Sequence, residues 1–318
     1  MKPKVYLTHP LLPAAMDFLE KHVDKTVGPA DGPAGREELI RGVRDCEGLL
    51  SLLTVTVDAT VMDAAPCLRI IANCAVGYNN IDIDAARERG ILVTNTPGVL
   101  TDTTADLTWA LIMAVARLIP QADRFTRERR FKGWALDLFL GREITGQILG
   151  IVGMGRIGKA VAERAKGFQM KVLYHDPHRL SPEVEKTLNA SWRPLDDVVR
   201  EADVLTLHTT LSPETKHLLN AKRLAKMKRT AIVINVSRGP IVDEKALADA
   251  LTDGRIWGAG LDVYEREPVI EKGLLSLDNV ILLPHMGSAT EATRLKMSMM
   301  AAENLIAGLS GRTPPNLI

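Results

Sequence analysis

The run Gln147-Ile-Leu-Gly-Ile-Val-Gly153-Met-Gly155-Arg156-Ile157-Gly158-Lys-Ala constrains this chain more than any other. Ile148 to Val152 reads as a strand and Lys159 to Phe168 as a helix, so Gly-x-Gly-x-x-Gly falls on the turn between them. Gly153 permits the tight turn, Gly155 lets a pyrophosphate approach the backbone, and Gly158 lets helix and strand pack closely. The helix N-terminus supplies free N–H groups and a positive dipole end. A glycine-rich turn that binds nothing is the plain alternative. Against it, 18 residues past Gly158, the next strand ends in Tyr174-His175-Asp176-Pro177, with an acidic residue where such sites hold the adenosine ribose hydroxyls. Asp176 therefore favours NAD(H), because a carboxylate repels a 2′-phosphate. NADP(H) stays possible: His178 and Arg179 follow closely and could offset the charge, and an Asp at a strand end is also a common turn former.

The rest of the chain repeats the alternation of short apolar runs with helix-period segments, which implies an α/β fold around parallel sheets. Strands are predicted at Val5–Thr8, Gly48–Leu53, Arg69–Asn73 and Leu92–Asn95, with a helix over Leu12–His22, as one small doubly wound domain. Thr101–Ile119 is a predicted helix, apolar almost all round after Leu107 and capped by Thr103-x-x-Asp106. After it, six strands are predicted, at Ile148–Val152, Lys171–His175, Val204–His208, Ala231–Val236, Gly258–Val263 and Val280–Leu283, with a helix opening at Ser212-Pro213-Glu214-Thr215 and a Met- and Ala-rich one within Gly287–Leu309.

Composition removes several function classes. Forty Lys plus Arg against 39 Asp plus Glu leaves a net charge of +1, without the basic excess of a nucleic-acid binder. Cys46, Cys67 and Cys74 have no ligand spacing and are odd in number, so neither a disulfide framework nor a zinc site is indicated and a cytoplasmic setting is expected. No signal peptide is visible, and charge-free runs such as that between Asp106 and Arg117 are too short to cross a membrane. The segment Gln121–Arg142 carries Phe125, Phe131, Trp134 and Phe139, the composition of a partner surface; a homodimer is expected there, with one of the aromatics reaching the other subunit's substrate pocket.

Three later motifs place polar residues at or beyond predicted strand ends, where open α/β sheets bind ligands. They are Ile234-Asn-Val-Ser-Arg238-Gly-Pro, Leu261-Asp262-Val-Tyr-Glu265-Arg-Glu267-Pro and Leu283-Pro-His285-Met-Gly-Ser-Ala-Thr. With these the sequence resembles the D-isomer-specific 2-hydroxyacid dehydrogenases over essentially its whole length. The run Val93-Thr-Asn-Thr-Pro-Gly-Val-Leu-Thr-Asp-Thr-Thr-Ala-Asp-Leu and the last motif are most similar to the glyoxylate/hydroxypyruvate reductases.

The resemblance implies hydride transfer between a nicotinamide and C2 of a small 2-keto or 2-hydroxy acid, with no metal. It implies that Arg238 clamps the substrate carboxylate and polarises the carbonyl, since a guanidinium offers a planar donor fork. His285 is implied as general acid in reduction, and Glu267 as the partner that keeps the ring protonated near neutral pH. Each has an ordinary alternative: a surface ion pair for Arg238, a turn charge for Glu267, a buried histidine for His285. Glu265 reads as a solvated charge. By the same resemblance Asp262 accepts from the nicotinamide carboxamide, Arg156 and Ile157 offer amides to the pyrophosphate, and Thr104, Val236 and Gly287 join the cofactor contacts. Leu53 supplies an apolar wall, and backbone amides of the loop Cys74-Ala-Val76-Gly77-Tyr receive the keto acid's carboxylate; an ordinary strand-to-helix turn is the alternative for that loop.

The expected architecture is therefore two doubly wound parallel-sheet (Rossmann/flavodoxin-like) domains with the active site in the cleft between them. A discontinuous substrate-binding domain is expected over residues 1–98 and 286–318, and an NAD-binding Rossmann domain over 99–285. Domain closure is expected to desolvate the site. Other D-2-hydroxyacid dehydrogenases, acting on phosphoglycerate, D-lactate or phosphite, share this scaffold. Formate is disfavoured by Glu267, where formate dehydrogenases of the family carry Gln. A nucleotide-sensing corepressor-like scaffold is the alternative of another class.

Overall fold

The twelve strands of the computed structural model, which describes all residues Met1–Ile318, pair only in parallel. Parallel pairing needs crossover helices, and these cover the sheets on both faces, so the strands Gly48–Ser51, Ile70–Asn73, Val204–Leu207, Ile232–Asn235 and Gly258–Leu261 are buried at every residue. The chain divides into two units, Met1–Leu100 with Ser288–Ile318, and Thr101–Gly287.

The first unit holds β1 (Lys4–Leu7), β2 (Asp24–Val27), β3 (Gly48–Ser51), β4 (Ile70–Asn73) and β5 (Leu92–Thr94), in the order β2-β1-β3-β4-β5. One face is covered by the final helix, Glu291–Leu309, whose Met297, Ala301, Ala302 and Leu305 pack with Val5, Leu7, Leu50 and Ile70. On the other face Tyr6 packs over Gly42, where a Cβ would collide with the ring.

The second unit holds β6 (Ile148–Val152), β7 (Lys171–His175), β8 (Ala190–Trp192), β9 (Val204–Leu207), β10 (Ile232–Asn235), β11 (Gly258–Leu261) and β12 (Val280–Leu282). Their order, β12-β11-β10-β9-β6-β7-β8, reverses direction between β6 and β9. That reversal is the switch point at which open parallel sheets bind their ligands. The helix Thr101–Ala116 packs against this sheet through Leu111, Ile112 and Val115, and its Trp109 donates Nε1–H to the Val161 carbonyl at 3.1 Å while stacking on Phe168.

Several expectations are corrected. This unit has seven strands, not six, and the first has an unpredicted β2. Both extra strands, β2 and β8, are short edge strands with exposed or polar residues and carry no buried apolar run. Ser212-Pro213-Glu214-Thr215 forms turns and no helix: the Ser212 carbonyl accepts from Thr215 and Lys216, and the chain then reverses at His217, φ 48°. The helix predicted over Thr101–Ile119 ends at Ala116, because Leu118 is left-handed, φ 54°, and Pro120 opens a new helix, Ile119–Arg127. Thr103 lies inside the first turn and is not its cap. The helix after the glycine turn starts at Arg156, three residues earlier than expected, with Gly155 in the capping position.

No helix is long and apolar enough to cross a membrane. Cys46 and Cys74 are buried free thiols and Cys67 is exposed. Beyond Arg127 the segment bearing Phe131, Trp134, Leu136 and Leu140 leaves these side chains exposed, Trp134 at 82%.

The Tyr6 hydroxyl is buried without a hydrogen-bond partner. An unpaired buried hydroxyl costs stability that deletion recovers, so Tyr6→Phe is expected to raise unfolding free energy by about 1 kcal/mol in denaturant titration. A loss of similar size would show the hydroxyl to be satisfied.

Candidate active site

Three strands set the chemistry of the second unit. β10, β11 and β12 lie side by side and run the same way, so the segments leaving their carboxyl ends share one edge of the sheet. Arg238 follows β10, Asp262 and Glu267 follow β11, and His285 follows β12. Hydrogen bonds between side chains and backbone hold these segments.

Asn235, the last residue of β10 and buried, shapes the first turn: its Oδ1 accepts from Ser237 N and Oγ, and its Nδ2 donates to the Arg238 carbonyl at 2.9 Å. Gly239 then presses on the backbone of Tyr264 and Glu265 so closely that a Cβ would overlap it, which joins the Arg238 turn to the Glu267 loop. The Arg238 guanidinium donates to the Ser237 carbonyl at 2.7 Å; burial pushes its pKa down, opposed by the charge of Glu267.

Glu267 Oε1 accepts from Tyr264 N at 3.0 Å and Oε2 pairs with His285 Nδ1 at 2.9 Å. Burial alone would raise this carboxyl, but the hydrogen bond and charge of His285, the Tyr264 amide and Arg238 together bring it below the usual carboxylate range. Glu267 is therefore ionised throughout the neutral range. His285 sits in left-handed backbone, φ 53°, an uncommon conformation for a non-glycine residue that needs support. Asp262, fully buried, gives that support: Oδ1 accepts from Met286 N and Oδ2 from Gly287 N, both at 2.7 Å. Thr104 Oγ1 donates to the Gly287 carbonyl at 3.1 Å, and Tyr264 OH to the Leu283 carbonyl at 2.8 Å. With Nδ1 on Glu267, Nε2 of His285 has no protein partner.

The other half of the edge is the glycine turn. Gly153 is left-handed, φ 92°, and a Cβ there would sit 2.6 Å from the His208 carbonyl. A Cβ on Gly158 would strike the Gly153 carbonyl, whereas one on Gly155 would meet nothing within 4 Å. The turn is thus closed on its protein side and open at Gly155, where the helix Arg156–Ala165 begins without a side-chain cap. Its first-turn amides, Arg156 and Ile157 included, have no intrahelical acceptors. Asp176 closes the turn from β7: Oδ2 accepts from Met154 N at 2.7 Å and Oδ1 from His178 N at 2.8 Å. Val236 lies buried just beyond β10. Burial depresses the His208 imidazole to about 3, leaving a neutral ring beside the turn. An open glycine cradle, a helix N-terminus and a carboxylate at the next strand end fit the pyrophosphate and ribose of a dinucleotide.

In the first unit, Leu53, Val76 and Gly77 are half-buried on loops leaving β3 and β4. Asn95 Nδ2 donates to the Val76 carbonyl at 2.7 Å and Asn73 Nδ2 to the Gly77 carbonyl at 2.9 Å. In a planar trans peptide the N–H opposes the C=O, so these two carboxamides turn the Gly77 and Tyr78 amides the other way, and neither amide has a protein partner. Asn80 braces the same loop by donating to the Leu52 and Val55 carbonyls.

Several of these supports escape sequence reading. Asn73 and Asn235 had a signal: each ends an otherwise apolar strand, Ile-Ile-Ala-Asn and Ile-Val-Ile-Asn. Glu244 had none beyond its place at a helix start. It is buried, its Oε1 accepts from Glu265 N and its Oε2 from Glu271 N, while Glu265 Oε1 accepts from Glu244 N in return. Glu265 is thereby corrected from a solvated charge to a structural one, its Oε2 on His217 Nε2 at 3.0 Å.

A parallel sheet with this glycine turn and strand-end carboxylate defines a nicotinamide-dinucleotide oxidoreductase of the Rossmann type. Residues 109–287 match the D-isomer specific 2-hydroxyacid dehydrogenase family, NAD binding domain. A glyoxylate reductase of Korarchaeum cryptofilum is 49% identical over 320 residues, spanning 100% of this chain and 96% of that one. The solved TT0316 protein of Thermus thermophilus is 44% identical, with TM-score 0.91 over 99% of both chains. The NADPH-dependent glyoxylate/hydroxypyruvate reductase of Sinorhizobium meliloti, solved with NADP and malonate, is 32% identical, with TM-score 0.88 over 100% of this chain and 97% of that one. The chain belongs to the D-isomer specific 2-hydroxyacid dehydrogenase family, and is an NAD(P)-dependent oxidoreductase acting on CH–OH.

Glu244→Ala strands the Glu265 and Glu271 amides. Its expected effect is a loss of about 2 kcal/mol of stability in denaturant unfolding, with a fall in turnover as the Tyr264–Glu267 loop loosens. Unchanged stability would remove Glu244 from this role.

Proposed function

We propose that this protein reduces glyoxylate to glycolate, and related small 2-keto acids, hydroxypyruvate among them, to D-2-hydroxy acids, with NADH as preferred reductant. The observation that carries the reading is the His285–Glu267 pair, 2.9 Å apart, with the second ring nitrogen unpartnered and Arg238 electrostatically coupled to Glu267. The names of the relatives supply the substrate class: glyoxylate reductases align over the whole chain.

A reduced nicotinamide bound at the glycine turn supplies the hydride for the carbonyl carbon. The protein's own residues do the rest. Arg238 binds the substrate carboxylate and polarises the adjacent carbonyl through its donor fork. His285, protonated, gives its Nε2 proton to the carbonyl oxygen as negative charge develops there. Glu267, ionised in the neutral range, holds the ring through Nδ1. In the oxidative direction the ring takes that proton back.

The outward amides of Gly77 and Tyr78 are read as the second anchor for the carboxylate, with Leu53 and Val76 as apolar walls that limit substrate size. Arg156, Ile157 and Gly158 receive the pyrophosphate, Asp176 the adenosine ribose, and Thr104, Val236, Asp262 and Gly287 face the nicotinamide end. Both Asp262 oxygens already accept backbone amides, so a carboxamide would use their remaining lone pairs. The preference for NADH rests on the Asp176 carboxylate, which opposes a 2′-phosphate.

Initial rates with NADH and NADPH against glyoxylate, hydroxypyruvate, pyruvate and phosphohydroxypyruvate test this. Fast NADH-dependent turnover of the first two is expected, reduced about 10²–10⁴-fold in His285→Ala. In Glu267→Gln turnover should fall while NADH binding stays within twofold, since the ring loses the carboxylate that holds its Nδ1. Equal turnover in His285→Ala would overturn the proton-donor assignment.

The exposed Phe131, Trp134, Leu136 and Leu140 are read as the surface of a homodimer arm. Sedimentation of an Arg127→Glu, Phe131→Ser, Trp134→Ser triple variant is expected to give a monomer where the parent sediments as a dimer. A triple variant that remains dimeric would exclude the arm from the interface.

A further inference from the structure

We propose that Glu185 is a cofactor-specificity residue, acting without touching the cofactor: it engages the Arg179 guanidinium and so removes the one nearby arginine suited to a 2′-phosphate. The inference rests on the reading above that the adenosine ribose lies at Asp176.

A 2′-phosphate is normally received by an arginine close to the strand-end position that Asp176 occupies. Arg179 stands three residues beyond it, in the segment Pro177-His178-Arg179. By sequence alone it could offset the carboxylate and admit NADP(H). The structure commits one edge of its guanidinium, two of five N–H donors, elsewhere. Nε donates to Glu185 Oε1 at 3.0 Å and Nη2 to Oε2 at 2.9 Å, the two-pronged geometry that uses one whole edge of the guanidinium. Glu185 is well shielded, its side chain 12% exposed against 64% for Arg179.

Glu185 is itself anchored. It lies near the start of the helix Pro182–Leu188, where an anion suits the helix dipole, and it accepts from the hydroxyl of the buried Tyr174 at 2.8 Å. That hydroxyl in turn accepts from Leu180 N at 2.9 Å, so the backbone next to Arg179 is tied to the same cluster. Hydrogen bonds from Arg179 and Tyr174 hold the Glu185 carboxyl at about 2, so its charge is present at every working pH. Asp176 thus has no arginine paired with it; its neighbours are the Met154 and His178 amides and, at 3.8 Å, the His178 ring. The remaining basic groups do not replace Arg179. His178 extends into solvent with its side chain 97% exposed, and Arg193 donates to the Trp192 carbonyl.

The test reads binding, not turnover. Dissociation constants for NADH and NADPH are measured by nicotinamide fluorescence at low ionic strength and pH 8, where ordinary imidazoles are neutral. The proteins are the parent, Glu185→Gln, Arg179→Ala and the double variant, each checked for folding by circular dichroism. Glu185→Gln should tighten NADPH about fivefold, the scale of one solvent-exposed ion pair, with NADH within twofold and the gain lost in the double variant. Arg179→Ala in the parent should leave NADPH binding within twofold. The proposal is overturned if folded Glu185→Gln keeps the parent's NADPH-to-NADH ratio, or if Arg179→Ala weakens NADPH severalfold, which would show the arginine already in use. That second arm decides the matter even if Glu185→Gln unfolds its helix. Absence of NADH binding to the parent would instead bring down the cofactor reading, and this inference with it.

Discussion

Parallel pairing of β10, β11 and β12 is the constraint on which the site depends. Because adjacent parallel strands end at the same edge, residues far apart in sequence, Arg238, Glu267 and His285, leave the sheet as neighbours. The pairing also requires helices on both faces, which accounts for strands such as Val204–Leu207 and Ile232–Asn235 being buried at every residue. An antiparallel sheet of the same strands would send alternate ends to opposite edges and scatter these groups.

The sheet brings the segments together, but buried and half-buried polar side chains set their conformation. Asp262, Glu244, Glu265 and Asp176 each accept backbone amides, and Asn73, Asn95 and Asn235 each donate to backbone carbonyls. Loops at strand ends lack ladder partners, and an unsatisfied buried amide costs about 1–3 kcal/mol, so a side chain that satisfies two amides at once selects one loop geometry. Asp262 does so for His285, whose left-handed backbone is otherwise unfavourable. Acids here serve two purposes: Glu267 presents charge to a ring, whereas Asp262 and Glu244 organise backbone and are fully or nearly buried.

The glycine turn shows how far local sequence carries the argument. Gly153, Gly155 and Gly158 differ in their reasons, and each reason is visible: a positive φ, an open approach, and a close carbonyl. Spacing alone identifies that turn, because a strand, three glycines and a helix have few ways to connect. The central strands were legible for a related reason, since apolar runs of four or five residues bounded by turns are too short for a buried helix. The edge strands β2 and β8 were not, because half-exposed strands carry no such run, and Ser212-Pro213 carries good helix-start chemistry in a segment whose chain direction is decided by His217 and the turn beyond it. Glu265 was misread because burial of a charge by another loop leaves no trace in its neighbours along the chain.

Sequence by itself determined the α/β class, the dinucleotide turn, the strand-end carboxylate and the residue types from which a proton donor and a carboxylate clamp are drawn. These follow from periodicity and from chemistry that few side chains possess. Tertiary structure alone decided which residues are partnered. His285 meets Glu267 through Nδ1, Gly239 joins two loops by contact too close for a side chain, and Arg179, near Asp176 in sequence, is bound to Glu185. Hydrogen bonds are short-ranged and directional, so whether a charge is available depends on the position of its partner to within an ångström, and that position is fixed only when the elements pack.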